Sequence, residues 1–202
     1  AVFDRRRAAR PDDPWLAARA ADGLLHADAG EPAEAAAAAA LAHWPHRFDI
    51  RALLALARAL LDQPAAEGLA QLRKPDEDAG YYDVVQAIDV GRELLQRKRP
   101  GAARPWLEYA WSRDPWNSEA ASALAEALHR IEGGESAAAL LRTAIERNPH
   151  NPLLWEDLAV QYCLLGNWDL ATDCFRKSEE IAPYRYERLL KWAQAMVRLR
   201  QY

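Results

Sequence analysis

The sequence predicts an all-α fold, a solenoid of antiparallel helix hairpins repeating every 34 residues. Three observations carry that reading. The 202 residues are dominated by Ala, Leu, Arg and Glu, all strong helix formers, and are poor in the β-branched residues that favour strands. Four columns recur at the 34-residue step and fall at i, i+3, i+4 and i+7 within each unit, one stripe of an amphipathic helix. A second stripe follows in each unit and stops at a proline, which cannot continue a helix. One hairpin cannot bury both stripes, so the units must stack.

Residues 1–13 (AVFDRRRAARPDD) carry Arg5, Arg6, Arg7 and Arg10 but no apolar core of a signal peptide. They read as a solvated arm or as a docking arm. The first unit, 14–49, fits poorly in strict register, because Arg19, Asp22 and His26 fall in core columns. A shift of two residues brings Ala17, Ala20, Ala21 and Leu24 into the stripe, with the two extra residues assigned to the turn between His26 and Pro32. Its second helix opens at the Gly30-Glu31-Pro32 turn and presents Ala35, Ala39 and Ala42.

The unit 50–83 is irregular. Leu53, Leu56, Ala57 and Leu60 give a good first helix. The partner helix starts near Ala65 and meets Pro75 early, and its columns would bury Arg73 and Asp76 unpaired at high cost. A short helix and an irregular loop over 74–83 (KPDEDAGYYD) are therefore expected.

Units 84–117, 118–151 and 152–185 share one register. The first-helix columns are Ala87, Ala121, Trp155; Val90, Leu124, Leu158; Gly91, Ala125, Ala159; and Leu94, Leu128, Tyr162. The second-helix columns are Ala103, Ala137, Ala171; Leu107, Leu141, Phe175; and Ala110, Ala144, Ser178, closed by Pro115, Pro149 and Pro183. Residues 186–202 supply the first helix of a further unit, with Leu189, Trp192, Ala193 and Met196 in place.

These columns resemble the tetratricopeptide repeat. The fullest match is 151–183, which carries Trp155, Leu158, Ala159, Tyr162, Gly166, Ala171, Phe175 and Pro183 at the family's spacing. The resemblance covers 84–202 in register and 14–83 less completely. It implies a right-handed solenoid forming one repeat domain over 14–202, with a concave face, lined by first helices, that takes an extended or helical peptide of a partner protein. The groove columns are Val85, Ile88, Arg92 and Leu95; Glu126, His129 and Arg130; Leu153, Glu156, Val160, Cys163 and Leu164; and Leu190 and Val197. In the unit 50–83 they are Arg51, Leu54, Arg58, Leu61 and Asp62. Apolar clusters such as Val160, Cys163 and Leu164 suggest contact sites flanking a polar centre. The carboxylate clamp of co-chaperone members, built from Lys and Asn in groove columns, is absent.

Composition narrows the alternatives. The chain is 50% hydrophobic and 28% charged, as globular proteins are. Lys and Arg number 26 against 30 Asp and Glu, a formal net charge of −4, which argues against a nucleic-acid binder. An RNA-binding helical repeat would also need a basic groove with base-reading polar residues. No apolar run approaches the roughly 20 residues that span a bilayer. His43 and His46 flank a proline, and Cys163 and Cys174 read as small apolar residues, so neither metal nor cofactor is expected. With no phosphate-cradling glycine loop, HExxH or nucleophile elbow, the chain reads as non-enzymatic. Two other readings remain. One is a regulatory domain of a larger enzyme, against which the terminal capping helix argues. The other is a self-assembling subunit in which Leu190, Val197 and Leu199 cap a neighbouring copy. Of the eight tryptophans, Trp155, Trp168 and Trp192 occupy core positions, whereas Trp106, Trp111 and Trp116, five apart, cannot all face one way.

Overall fold

The computed structural model describes residues 13–72 and 81–199 and contains no strand among them. The helices are α1 (Pro14–His26), α2 (Gly30–His43), α3 (Phe48–Leu60), α4 (Ala65–Leu72), α5 (Tyr81–Gln96), α6 (Pro100–Arg113), α7 (Ser118–Ile131), α8 (Gly134–Arg147), α9 (Pro152–Leu164), α10 (Trp168–Ile181) and α11 (Tyr186–Leu199). They gather into two compact units, Ala1–Trp106 and Leu107–Tyr202. The arm 1–12, most of the expected loop, and the side chains of Tyr81, Tyr82, Met196 and Leu199 lie outside the described residues. The helix α5 already begins at Tyr81, so the loop is shorter than expected at its far end.

Helix starts follow from capping chemistry. Asp13 accepts from the Trp15 and Leu16 amides at 3.0 and 3.4 Å, Asn117 from Ala120 at 3.0 Å, and Asn151 from Leu153 at 3.0 Å. Pro14 and Pro152 sit at the first helical turn, where a missing N–H costs nothing. Helix ends are equally regular. The turns after α1, α3, α5, α7 and α9 each contain a left-handed residue: Asp28, Asp62, Lys98, Gly133 and Gly166. In four of them the following amide reaches back to close the last turn, as Ala29 does to Leu24 at 2.9 Å and Asn167 to Tyr162 at 2.9 Å.

These landmarks correct the register of the N-terminal half. The caps of α1, α7 and α9 stand four residues before Ala17, Ala121 and Trp155, which therefore share a column. In α3 that column falls on Arg51, two residues before the expected Leu53. A shared hydrogen bond proves the equivalence. The Trp155 indole donates to the Pro149 carbonyl at 2.9 Å, and the Arg51 guanidinium donates to the carbonyl of Pro45, also six residues upstream. The stripe Ala17, Ala20, Ala21 is buried as the shifted reading requires, and in α3 Leu54 and Ala55 are buried alongside the expected Leu56 and Ala57. Since Asp28 and Asp62 are themselves 34 apart, the two extra residues come after α3, not at the turn after α1.

In the first unit α2 packs on both α1 and α3, and α3 packs on α1, α4 and α5. Ala21, Ala37 and Leu54 form one small core, and Ala17, Ala18, Ala40 and Ile50 another, with Leu41 and Leu53 against both. Trp106 is 1% exposed and lies across Gly68 of α4. In the second unit a larger core joins α7, α8, α9 and α10 through Ala125, Leu141, Leu158, Tyr162 and Phe175. There α11 packs on α9, and Trp192 stacks on Phe175 with ring centroids 5.2 Å apart. Trp192 is nonetheless partly exposed, and Trp168, at the start of α10, is too. Neither is the core residue expected. Of the spaced trio, Trp106 is buried, Trp111 lies under the Arg147 guanidinium, and Trp116 is exposed.

Candidate functional site

The first unit holds an open cleft of about 420 Å³ on α1, α3 and α5. Trp15, Ala18, Asp22, Leu25 and His26 line it from α1, and Asp49, Ala52, Leu53 and Leu56 from α3. Once the register is corrected, nearly all of these are groove columns: Trp15 and Asp49 correspond to Leu153, Ala18 and Ala52 to Glu156, and Asp22 and Leu56 to Val160. The strict register hid those of α3. It placed the groove face of α3 on Arg51, Leu54 and Arg58. Arg51 and Leu54 are buried instead, and Arg58 donates to Glu34 at 2.9 Å. The cap spacing at Asp13 was the signal that could have found the site.

The third wall, α5, presents Asp89, Val90, Glu93 and Arg97. Of the residues expected there, Val85 is half-buried, Arg92 is exposed, and Ile88 and Leu95 are buried in packing, so those two line no open face. Arg97 closes one end. It donates to the Leu25 carbonyl at 3.0 Å and to Glu93 at 2.8 Å, and lies 3.4 Å from Asp28. A cation at the C-terminus of α1 is favoured by the helix dipole. Arg99 does the same for α3, donating to the Leu60 carbonyl at 2.6 Å. At the other end the Arg47 guanidinium grips Asp49 through two bonds of 2.9 and 2.6 Å and holds its carboxyl below the usual range. Asp22 is held loosely, 3.4 Å from Arg19 and 3.3 Å from His26. Trp15, 54% exposed, stands at the rim with the Arg19 guanidinium 6.0 Å from its ring centroid. The cleft therefore has an apolar floor, an aromatic rim and mostly acidic walls.

In the second unit the predicted residues divide. Leu153, Leu190 and Val197 are exposed, and Val160 and Leu164 are half-buried. Glu126 pairs with Arg130, and the Nδ1 atom of His129 is buried. Cys163 and Glu156 are buried in the second unit and line no open face there. Cys163 is core, where burial raises its thiol pKa. Glu156 is 0% exposed and anchors the last helix. Its carboxylate accepts from Ser178 at 2.9 Å and faces Arg185 and Lys191 at 3.5 Å each. Lys191 also donates to Asp157 at 2.6 Å, and Asp157 accepts from Ser122 of α7. No group of acidic, His or Cys side chains able to hold a metal exists among the described residues.

A tetratricopeptide-repeat family model matches residues 140–173, from within α8 to the start of α10. That segment is a tetratricopeptide repeat. The chain's fold resembles that of YrrB, described as a TPR protein with an unusual peptide-binding site. That structure is 18% identical, with a TM-score of 0.52 over 94% of this chain and 96% of that one. MamA of Desulfovibrio magneticus RS-1 is 19% identical, with a TM-score of 0.51 over 84% of this chain and 95% of that one. No curated protein matches the sequence. The chain has an all-α helical-repeat fold like those structures, and no described helix is long and apolar enough to cross a membrane.

Proposed function

We propose that the chain is a non-enzymatic adaptor whose first unit binds a peptide of a partner protein in the cleft on α1, α3 and α5. The carrying observation is that cleft: an open, apolar-floored channel on first-helix groove columns, with charged side chains at both ends. An apolar floor anchors side chains of the ligand, and charged walls set its direction. YrrB, of like fold, is described as having a peptide-binding site, which supports the reading. In the second unit the groove-column residues that remain accessible, Leu153, Val160 and Leu164, are proposed as further contacts.

The test is selection of binders from a displayed peptide library, followed by titration against Trp15→Ala and Ala52→Glu. The first removes the rim aromatic and the second fills the floor with charge. Both are expected to weaken the selected peptides at least tenfold while circular dichroism stays unchanged. Unaltered affinity in both variants would sink the reading.

A second reading, self-assembly, is favoured by α11, whose Leu189, Leu190 and Val197 are exposed. A large uncovered apolar face marks a contact site. Light scattering that rises with concentration, and falls in Leu190→Asp, supports it. A strict monomer at high concentration refutes it.

A further inference from the structure

We propose that the partner peptide taken by the cleft is cationic, with an arginine or lysine held between Trp15 and Asp22 and a large apolar side chain beside it on the floor. The inference rests on the peptide-binding reading above and names the chemistry of the partner segment. Three observations lead to it, and the first is the balance of charge. Four carboxylates face the cleft, Asp22 from α1, Asp49 from α3, and Asp89 and Glu93 from α5, against the two guanidiniums of Arg19 and Arg97. An acidic channel draws in a ligand of opposite sign and disfavours an acidic one.

The second is that Arg19 already shows how a cation is received there. Its guanidinium lies 6.0 Å from the centroid of the Trp15 ring and 3.4 Å from the Asp22 carboxylate. An aromatic face and a carboxylate together attract a cation from two sides. The contact with Asp22 is long and both side chains are partly exposed, so water competes with it and it opens at little cost. An incoming arginine or lysine can therefore take the place of Arg19. His26 holds the same carboxylate no more closely, at 3.3 Å. Asp49 is different: Arg47 fixes it through two bonds, yet a carboxylate so held keeps acceptor sites for a second donor.

The third is what lies between the charges. The floor is apolar, formed by Ala18 and Ala52 with Leu53 and Leu56. The two alanines leave space over which a large side chain can lie, and the two leucines give it contact. A ligand carrying charge alone would leave that surface in water. From Trp15 to His26 the cleft follows α1 for about 16 Å at 1.5 Å per residue. That is the span of about five extended residues, long enough for both side chains.

The test starts from short random peptides displayed in a library and selected on the full chain. Enrichment of Arg or Lys close to Leu, Ile, Phe or Trp is expected. The strongest binder is then remade with its basic residue replaced by Gln, and both peptides are titrated against wild type, Asp22→Asn and Arg19→Gln. The neutral peptide should bind wild type about fivefold more weakly. That loss should shrink below about twofold in Asp22→Asn, the mark of a direct contact. Arg19→Gln should tighten the basic peptide about twofold, because the cation it must displace is gone. Binders without a basic residue, a loss as large in Asp22→Asn as in wild type, or an affinity that Arg19→Gln leaves unchanged would each overturn the proposal. Any of these, beside peptides still sensitive to Trp15→Ala or Ala52→Glu, removes the cation subsite alone. Peptides indifferent to both of those variants remove the cleft reading itself.

Discussion

Arg51 does with a guanidinium what Trp155 does with an indole: each ties the start of its helix to a proline carbonyl in the preceding turn. A long polar side chain can occupy a core column when its head finds a backbone acceptor and its stem packs. The same reasoning by contact singles out Gly68. A Cβ there would stand 2.4 Å from a ring carbon of buried Trp106, so the indole must move or the helix must. Gly68→Ala is expected to lose about 2 kcal/mol by overpacking, although alanine favours helix. Urea denaturation measures the loss. The cysteines give a chemical readout. Both are buried, and burial pushes the Cys174 thiol up to about 11. Neither thiol should react with a disulfide reagent at pH 8 until the protein unfolds. The raised value also fixes the sign of a pH effect. Stability is fully present below the ordinary thiol range and declines as pH climbs through it toward 11, because the unfolded state ionises first.

Among the elements, α11 depends most on charge. Lys191 holds both Asp157 and the fully buried Glu156, so Lys191→Met leaves that carboxylate short of a partner. A cost of about 2 kcal/mol is expected for the weakened pair, with faster amide exchange along α11 before the rest of the second unit. Exchange unchanged in α11 would show that stacking of Trp192 on Phe175 suffices. None of this was visible in the groove columns, since Glu156 looked like a solvent-facing residue and its cations come from the next hairpin. The hairpins themselves were legible wherever caps, prolines and small-residue columns agreed, as they do from α7 to α10. They were misphased in α3, where Arg47 supplies no capping side chain and an alanine- and leucine-rich helix offers several plausible stripes. A two-residue slip rotates a helix by about 200°, enough to exchange groove and core.

At the scale of the whole molecule, that slip is why the α3 side of the cleft was missing from the groove columns the sequence suggested. With the register corrected, Asp49 and Ala52 of α3 join Trp15 and Asp22 of α1 in the cleft, and the proposed binding there carries a salt signature. If a cationic peptide occupies the acidic walls, affinity should fall severalfold between about 0.05 and 0.5 M salt, roughly the range over which exposed pairs become screened. Calorimetry at both concentrations decides it. The capping residues carry one more consequence. Asn117 and Asn151 open equivalent helices one period apart, so excising 118–151 would join Asn117 to Pro152 and recreate an asparagine–proline junction already present in the chain. A shortened protein made this way should still fold, and should unfold with a shallower urea dependence in keeping with the surface it no longer buries.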